Sequence, residues 1–99
     1  MNGFVLSPAA QADLAGIWTY TAEHWSEEQA DRYIRNINEA FLAIVSGSRP
    51  GRAAPEIREG YFKLAVGAHL VFYRVTPSGV ADIVRVLHQR MDIPERLLH

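Results

Sequence analysis

The chain has 99 residues, a length typical of one domain, and we predict a single domain over residues 1–99. It has no cysteine, which excludes disulfide scaffolds, thiolate zinc sites and cysteine nucleophiles. The start lacks the basic segment and long apolar run of a signal peptide, and no stretch approaches the ~18 apolar residues of a membrane span. We therefore expect a cytoplasmic domain with no membrane partner.

The formal net charge of −1 conceals a difference between the two halves of the chain. Residues 1–48 carry two basic and six acidic side chains, whereas residues 49–99 carry eight basic and five acidic. Nine of the ten basic residues are arginine, which binds carboxylates and phosphates through paired hydrogen bonds. The C-terminal half is either an ordinary solvated basic surface or a recognition face. The near-neutral total argues against strong nonspecific binding to nucleic acid.

The chain begins with a short strand and a helix. Residues 4–6 form an apolar run that stops at Ser7 and Pro8. Ser7 is a suitable N-cap, and Pro8 then stands at the first helical position, where its missing N–H costs nothing. Apolar residues follow at three- and four-residue spacing, which predicts a helix over about 8–24.

A second helix follows almost at once. Ser26 is its expected N-cap and Gly47 its expected C-cap, and Trp25 and Ala30 have the spacing of a hydrophobic staple. A link of one or two residues makes the two helices an antiparallel hairpin.

Beyond residue 46 the pattern changes from helical to extended. The proline- and glycine-rich residues 46–55 predict a loop. Strands are predicted at 61–66, 70–75 and 80–87, with a hairpin turn at 76–79 between the last two. The last strand is apolar on both faces apart from Asp82 and Arg85, which indicates a central position in the sheet.

Asp92 and Glu95 have the spacing that frames a short C-terminal helix. The element order β-α-α-β-β-β predicts an α+β fold, in which the helix hairpin packs on one face of a small, mainly antiparallel sheet. We expect the other face to be solvated, polar or used by a partner.

Basic and histidine side chains lie on the predicted sheet and at its ends. They are Arg58, Lys63, Arg74, Arg85, His88 and Arg90. Such a group can hold phosphate and move protons. Strand alternation places Arg85 opposite in facing to Val84 and Val86, and aligns His88 with the even-numbered positions. The alternative for His88 is a satisfied histidine at a strand end, and His69, beside a turn, is expected on the surface.

Aromatic residues flank the apolar stripes of the helix hairpin. Trp18 and Tyr33 lie at the margins, and Tyr20 lies nearly opposite the stripe. Exposed tryptophan and tyrosine are typical of a partner groove, although Trp18 and Tyr33 would also suit simple packing at the hairpin's edge. Tyr61 and Tyr73 are expected at the rim of the sheet with solvated hydroxyls.

We expect neither a metal nor a cofactor. The four histidines are scattered, without a close pair at ligand spacing. Gly47 and Gly51 lie in a loop that follows a helix, whereas a phosphate-binding loop precedes one.

Several short sequence patterns follow one another along the chain in a specific order and spacing. They are FVLSPAA at 4–10, DLAGIWTY at 13–20, the helical positions Ala30, Tyr33, Ile34 and Ile37, PG at 50–51, REGY at 58–61, HLVFYRV at 69–75 and IVRVLH at 83–88. Through these patterns the chain resembles, from residue 4 to about 97, the ParE branch of the RelE/ParE toxin superfamily.

The resemblance implies a growth-inhibiting toxin of a type II toxin–antitoxin pair that is neutralised by a ParD-like antitoxin. It also implies that the toxin is brought to operator DNA only through this antitoxin. ParE-like toxins inhibit DNA gyrase by binding, whereas RelE-like relatives cut mRNA on the ribosome, so the fold alone does not choose between them. The near-neutral charge, and the lack of a tyrosine after the last predicted strand, favour the gyrase inhibitor, which has no catalytic residues.

Two alternatives remain open at this stage. Arg74, Arg85 and His88 keep a ribosome-dependent mRNA endonuclease possible, and a nontoxic binding module is the third class. For the gyrase inhibitor, the six basic and histidine residues above are the target-facing candidates. The antitoxin-binding candidates are Leu14, Trp18, Trp25, Tyr33 and Tyr73.

Overall fold

A computed structural model describes residues 2–90. Its helices are α1 (Pro8–His24) and α2 (Glu27–Ser46), and its strands are β1 (Phe4–Leu6), β2 (Arg52–Ala53), β3 (Phe62–Val66), β4 (His69–Val75) and β5 (Ala81–His88). The element order confirms the predicted α+β fold. The C-terminal helix predicted around Asp92 and Glu95 lies outside the described residues. Among those residues, no helix is long and apolar enough to cross a membrane.

Both helices begin at the predicted N-caps, and α2 ends at the predicted C-cap. The Ser7 Oγ accepts the N–H of Ala10 at 2.9 Å, and the Ser26 Oγ accepts the N–H of Gln29 at 3.0 Å. Gly47 ends α2 in the left-handed conformation, with φ of 81°. These local hydrogen bonds satisfy backbone groups that a helix leaves unpaired at its ends.

The hydrophobic staple predicted between Trp25 and Ala30 is not supported. The Trp25 side chain is 71% exposed, although Ala30 is fully buried. Trp25 is the C-cap of α1, and its N–H still donates a hydrogen bond to the carbonyl of Thr21 at 2.8 Å. The backbone therefore turns into α2 while the indole ring stays largely in solvent.

The five strands form one sheet in the order β1-β5-β4-β3-β2. Strand β1 pairs with β5 in parallel and the remaining pairs are antiparallel, so β5 is internal, as predicted. The prediction of an unbroken loop over 46–55 is wrong, because Arg52 and Ala53 pair with Lys63 and Phe62 to form β2. Two residues are too few to produce a periodic pattern in the sequence.

Strand β5 carries a bulge that alternation alone does not predict. Its register with β4 shifts by one residue, and Val84 is the extra residue. Asp82 and Val86 therefore face opposite sides of the sheet, although both are even-numbered. The predicted alignment of His88 with all even-numbered positions is wrong for this reason. The Ser7 hydroxyl donates to the Val84 carbonyl at 2.7 Å, so the bulged backbone is paired.

The helix hairpin covers one face of the sheet. The core there joins Ile37, Phe41 and Ile44 of α2 to apolar residues of β3, β4 and β5. A solvated surface was one of the alternatives expected for the opposite face. That face is not fully solvated, because Phe72 and Leu87 there are 1% and 2% exposed.

The two tyrosines expected at the rim are buried. Tyr73 is 2% and Tyr61 8% exposed. The Tyr73 hydroxyl accepts the N–H of Gly51 at 2.8 Å, which replaces the solvent contact that was expected. An ideal Cβ on Gly51 would lie 2.6 Å from that hydroxyl, so only glycine lets the chain pass so close.

Candidate functional site

Arg85 on β5 joins the sheet to α1 through Asp13. Its Nε donates to Oδ2 at 2.8 Å and a terminal guanidinium nitrogen donates to Oδ1 at 2.7 Å. The N–H of Val86 also donates to Oδ2, at 3.0 Å. The Arg85 and Asp13 side chains are 21% and 13% exposed, and hydrogen bonding to the carboxylate raises the pKa of Arg85 above its usual value. This candidate therefore has a structural partner within the fold.

Two other basic candidates also form ion pairs. Arg74 Nε lies 3.0 Å from Asp82 Oδ2, and Lys63 Nζ lies 3.1 Å from Glu56 Oε1. The Arg74 and Lys63 side chains are 57% and 38% exposed, so solvent weakens both pairs. Each cation remains accessible to a larger partner.

Basic side chains form a row across the sheet. Arg52 stands opposite Lys63, Lys63 opposite Phe72, and Phe72 opposite Arg85. Directly paired residues share a face, so this row lies on the face turned away from the helix hairpin. Sequence reasoning missed Arg52, because its strand is too short to show alternation. Arg58 and Arg90 are exposed, in the segment before β3 and just after β5.

The structure separates the residues that kept the nuclease alternative open. Arg74 pairs across β4 and β5 with Asp82, whereas His88 stands opposite His69 on the other face. Arg85 is directed to Asp13 at the edge of β5. Arg74 therefore lies apart from His88, whereas Arg85 and His88 both line the cavity between α1 and the ends of β4 and β5.

A histidine pair lies instead on the face of the helix hairpin. His69 and His88 have ring centroids 5.3 Å apart in an edge-to-face arrangement. The Tyr33 hydroxyl lies 2.7 Å from His69 Nδ1 and accepts the N–H of Ala68 at 3.1 Å. His69 is half-buried, so it is less exposed than its place beside a turn suggested. Burial lowers the pKa of His69, with a smaller contribution from His88 that Asp13 opposes, and burial raises the pKa of Tyr33.

A cavity of about 510 Å³ opens beside the histidine pair, between α1 and the ends of β4 and β5. Its lining includes apolar Ile17 and Leu87 and the polar Asp13, Arg85 and His88. An apolar cavity with a few convergent polar groups is typical of a binding site.

A groove of about 440 Å³ lies between α1 and α2. It is lined by Leu14, Trp18, Asp31, Ile34, Arg35, Asn38 and Phe41. The Trp18 Nε1 donates to Asp31 Oδ1 at 2.8 Å, which fixes the indole ring at the margin of the groove. We call this surface the Trp18 groove.

The structure brings together only two of the five antitoxin-binding candidates. Leu14 and Trp18 both line the Trp18 groove. Trp25 is exposed at the junction of the helices, and Tyr33 is held beside His69. Tyr73 is buried under the segment that contains Gly51, so a partner cannot contact it on the native surface. That candidate is therefore wrong, because the strand pattern did not reveal what covers its ring.

Within residues 2–90, no three histidine, aspartate or glutamate side chains are grouped closely enough to hold a metal ion.

Comparisons with known proteins find the same family over most of the chain. Residues 4–93 match the family described as "ParE toxin of type II toxin-antitoxin system, parDE". The chain is 50% identical over 94 residues to Toxin ParE1 of Mycobacterium tuberculosis, covering 95% of this chain and 96% of the relative. It is 42% identical over 93 residues to Toxin ParE1 of Caulobacter vibrioides, covering 93% and 94%.

Among solved structures, one chain of the chromosomal ParDE TA system from P. aeruginosa matches with a TM-score of 0.75. It is 21% identical, and the match covers 89% of this chain and 95% of that chain. At 21% identity, this match is evidence of a shared fold and of nothing more.

Proposed function

The chain belongs to the ParE toxin family of type II toxin–antitoxin systems, and from this premise we propose that it binds and inhibits DNA gyrase in the cytoplasm and is neutralised by a ParD-like antitoxin. The observation that carries the proposal is the 50% identity to Toxin ParE1, which extends over 95% of this chain. Operator DNA is reached only through the antitoxin.

The proposal is one of inhibition by binding, without a catalytic residue. Arg74 and Arg85 each hold a carboxylate, at 3.0 Å and 2.7 Å. His88 faces the helix hairpin, away from Arg74. An RNA-cleaving site needs its general acid, its base and its phosphate-binding cations around one reacting phosphate, and the separation of Arg74 from His88 supports binding instead.

The target-facing surface is the sheet face that carries the basic row. Arg52 is exposed there, and Lys63 and Arg74 hold only weak, solvent-screened ion pairs. Exposed cations of this kind steer the approach of an acidic partner and exchange one carboxylate for another at low cost. Arg58 and Arg90 extend the basic surface beyond the strands.

The antitoxin site is the Trp18 groove. Leu14 and Phe41 provide its apolar lining, and Arg35 stands at its margin for a carboxylate of the partner. The Trp18 ring is already held by Asp31, so little side-chain entropy is lost when a partner packs on it.

The test is a supercoiling assay with purified gyrase and the full chain. We expect supercoiling to stop and cleaved DNA to accumulate. The triple variant Arg52→Ala/Lys63→Ala/Arg74→Ala should need at least tenfold more protein for the same inhibition. Arg32→Ala is the matched control, because Arg32 is an exposed arginine on α2 and pairs with Glu28 on the same helix.

Continued supercoiling at saturating protein would overturn the gyrase proposal. In that case, new cleavage sites in translated mRNA after induction would support the endonuclease. Normal growth on expression without the antitoxin would support a nontoxic binding module.

A further inference from the structure

The cavity between α1 and the ends of β4 and β5 is distinct from the Trp18 groove, because α1 turns a different face to each. Asp13, Gly16, Ile17 and Tyr20 line the cavity, whereas Leu14 and Trp18 line the groove. Gly16 contributes no side chain, and an ideal Cβ built on it would meet nothing within 4 Å. Glycine is less favourable than alanine inside a helix, so this position keeps space open at a cost in stability.

The hydrogen bonds of His88 fix the position of its proton. Its Nδ1 accepts the backbone N–H of Arg90 at 3.1 Å. A nitrogen that accepts cannot carry hydrogen, so the neutral ring holds its proton on Nε2.

We assign His69 the same tautomer from the lengths of two contacts. The Tyr33 hydroxyl accepts the N–H of Ala68 and has one proton to donate. The Val66 carbonyl lies at 3.2 Å and His69 Nδ1 at 2.7 Å, and we assign the proton to the shorter contact. The neutral His69 ring, which burial favours, then also carries its proton on Nε2.

Both Nε2–H groups reach open space. In the described part of the chain, no buried side-chain nitrogen or oxygen lacks a hydrogen-bond partner. The two Nε2 atoms have no such partner there, so neither is buried. The cavity is an open space that both histidines line. Neither Nε2–H has an acceptor from residues 2–90, so both are available to a ligand in this cavity.

The Asp13–Arg85 pair at the same end does not supply that acceptor. Oδ1 of Asp13 accepts from Arg85, and Oδ2 accepts from both Arg85 and the Val86 N–H. The pair is neutral overall and its carboxylate is engaged, which leaves the site without a strong repulsion toward an anion.

We propose that this cavity binds a small carboxylate attached to a flat apolar body, with the carboxylate oxygens accepting from Nε2–H of His69 and His88. The apolar body lies against Ile17 and Val86, and Tyr20 forms the rim. A volume of about 510 Å³ is within the range of small-molecule sites and exceeds what such an acid requires. This activity is separate from gyrase inhibition.

Phenylacetate is the probe, and its neutral isostere phenylacetamide is the matched control ligand. Long-range ¹H–¹⁵N spectra of the full chain at pH 7.5 report the tautomer of each histidine directly. We expect both rings in the Nε2–H form and saturable shifts with phenylacetate at millimolar affinity, as its size allows. Phenylacetamide should bind at least tenfold more weakly, because a charge-assisted hydrogen bond is about twice as strong as a neutral one.

Two variants locate the site. Gly16→Leu fills the cavity and should abolish the shifts, whereas Gly16→Ala, its matched control, should keep them. His88→Phe removes one of the two N–H donors and should weaken binding of phenylacetate at least tenfold. If the His88→Phe protein does not fold, Gly16→Leu is the decisive variant. An Nδ1–H form of either ring, equal binding of the two ligands, or full binding to Gly16→Leu would overturn the proposal.

Discussion

The Tyr33 hydroxyl on α2 lies 2.7 Å from Nδ1 of His69 on β4, across 36 positions of sequence. The same oxygen accepts the N–H of Ala68 in the turn between β3 and β4. One phenol group therefore connects the helix hairpin to both the strand and its turn. Its position also determines which residue the turn can tolerate at Gly67.

Gly67→Ala should destabilise the fold by about 2–4 kcal/mol. Gly67 has φ of +55°, and an ideal Cβ there would lie 2.7 Å from the Tyr33 hydroxyl, which its hydrogen bonds hold in place. Gly60→Ala is the control, since φ is +86° but nothing lies within 4 Å, and it should cost only about 1 kcal/mol. Urea unfolding measures both, and equal losses would show that the Tyr33 contact does not matter.

Tyr73→Phe should cost about 1–2 kcal/mol, because it leaves the Gly51 N–H without its acceptor next to a buried ring. The amide hydrogen of Gly51 should then exchange faster with solvent. Tyr20→Phe is the matched control, with a hydroxyl on a side chain 61% exposed, and it should change stability by less than about 0.5 kcal/mol. Unchanged exchange at Gly51 in Tyr73→Phe would contradict the prediction.

Asp13→Ala should cost about 2–4 kcal/mol, since it leaves the largely buried Arg85 guanidinium and the Val86 N–H without their carboxylate. Glu28→Ala removes the partner of Arg32, where both side chains are mostly exposed, and should cost less than about 0.5 kcal/mol. Thermal and urea unfolding compare the two. Similar losses would mean that the Asp13 pair is no stronger than a surface pair.

Stability should fall as the pH drops below about 6.5, the ordinary histidine pKa. Burial lowers the pKa of His69 in the folded state, so the unfolded chain binds more protons in this window, and the loss is complete below the folded-state pKa. Tyr33, His88 and Asp13 face the ring from α2, β5 and α1. The His69→Gln variant should show a flatter dependence between pH 5 and 7, and an unchanged slope in urea unfolding would exclude His69 as the cause.

The parts of the fold that sequence predicts are those set by local chemistry. Ser7, Ser26 and Gly47 act within one helical turn, so their roles are readable from spacing. The bulge at Val84 and the pairing of Arg52 depend on contacts with distant strands, and no local pattern encodes them.

The candidate site follows the same division. Trp18 and Leu14 were readable as neighbours on one helix, and they do share a groove. The Tyr33–His69 contact and the Tyr73–Gly51 contact join segments that are far apart in sequence. Residue type alone therefore placed both His69 and Tyr73 at the surface. His69 and His88, one of them expected to be exposed, form a pair only because β4 and β5 are in register.

Trp18→Ala should weaken binding of the ParD-like antitoxin at least tenfold, because large aromatic anchors in a groove carry much of the affinity of protein interfaces. Titration calorimetry with the full chain and that antitoxin measures the loss. Leu42→Ala is the matched control, since Leu42 is 53% exposed on α2 and is not among the residues that line the Trp18 groove. Circular dichroism should show both variants folded, and growth on co-expression should recover less with Trp18→Ala than with Leu42→Ala if toxicity persists. Equal affinities of the two variants would place the antitoxin on another surface, and the exposed ring of Trp25 would be the next residue to replace.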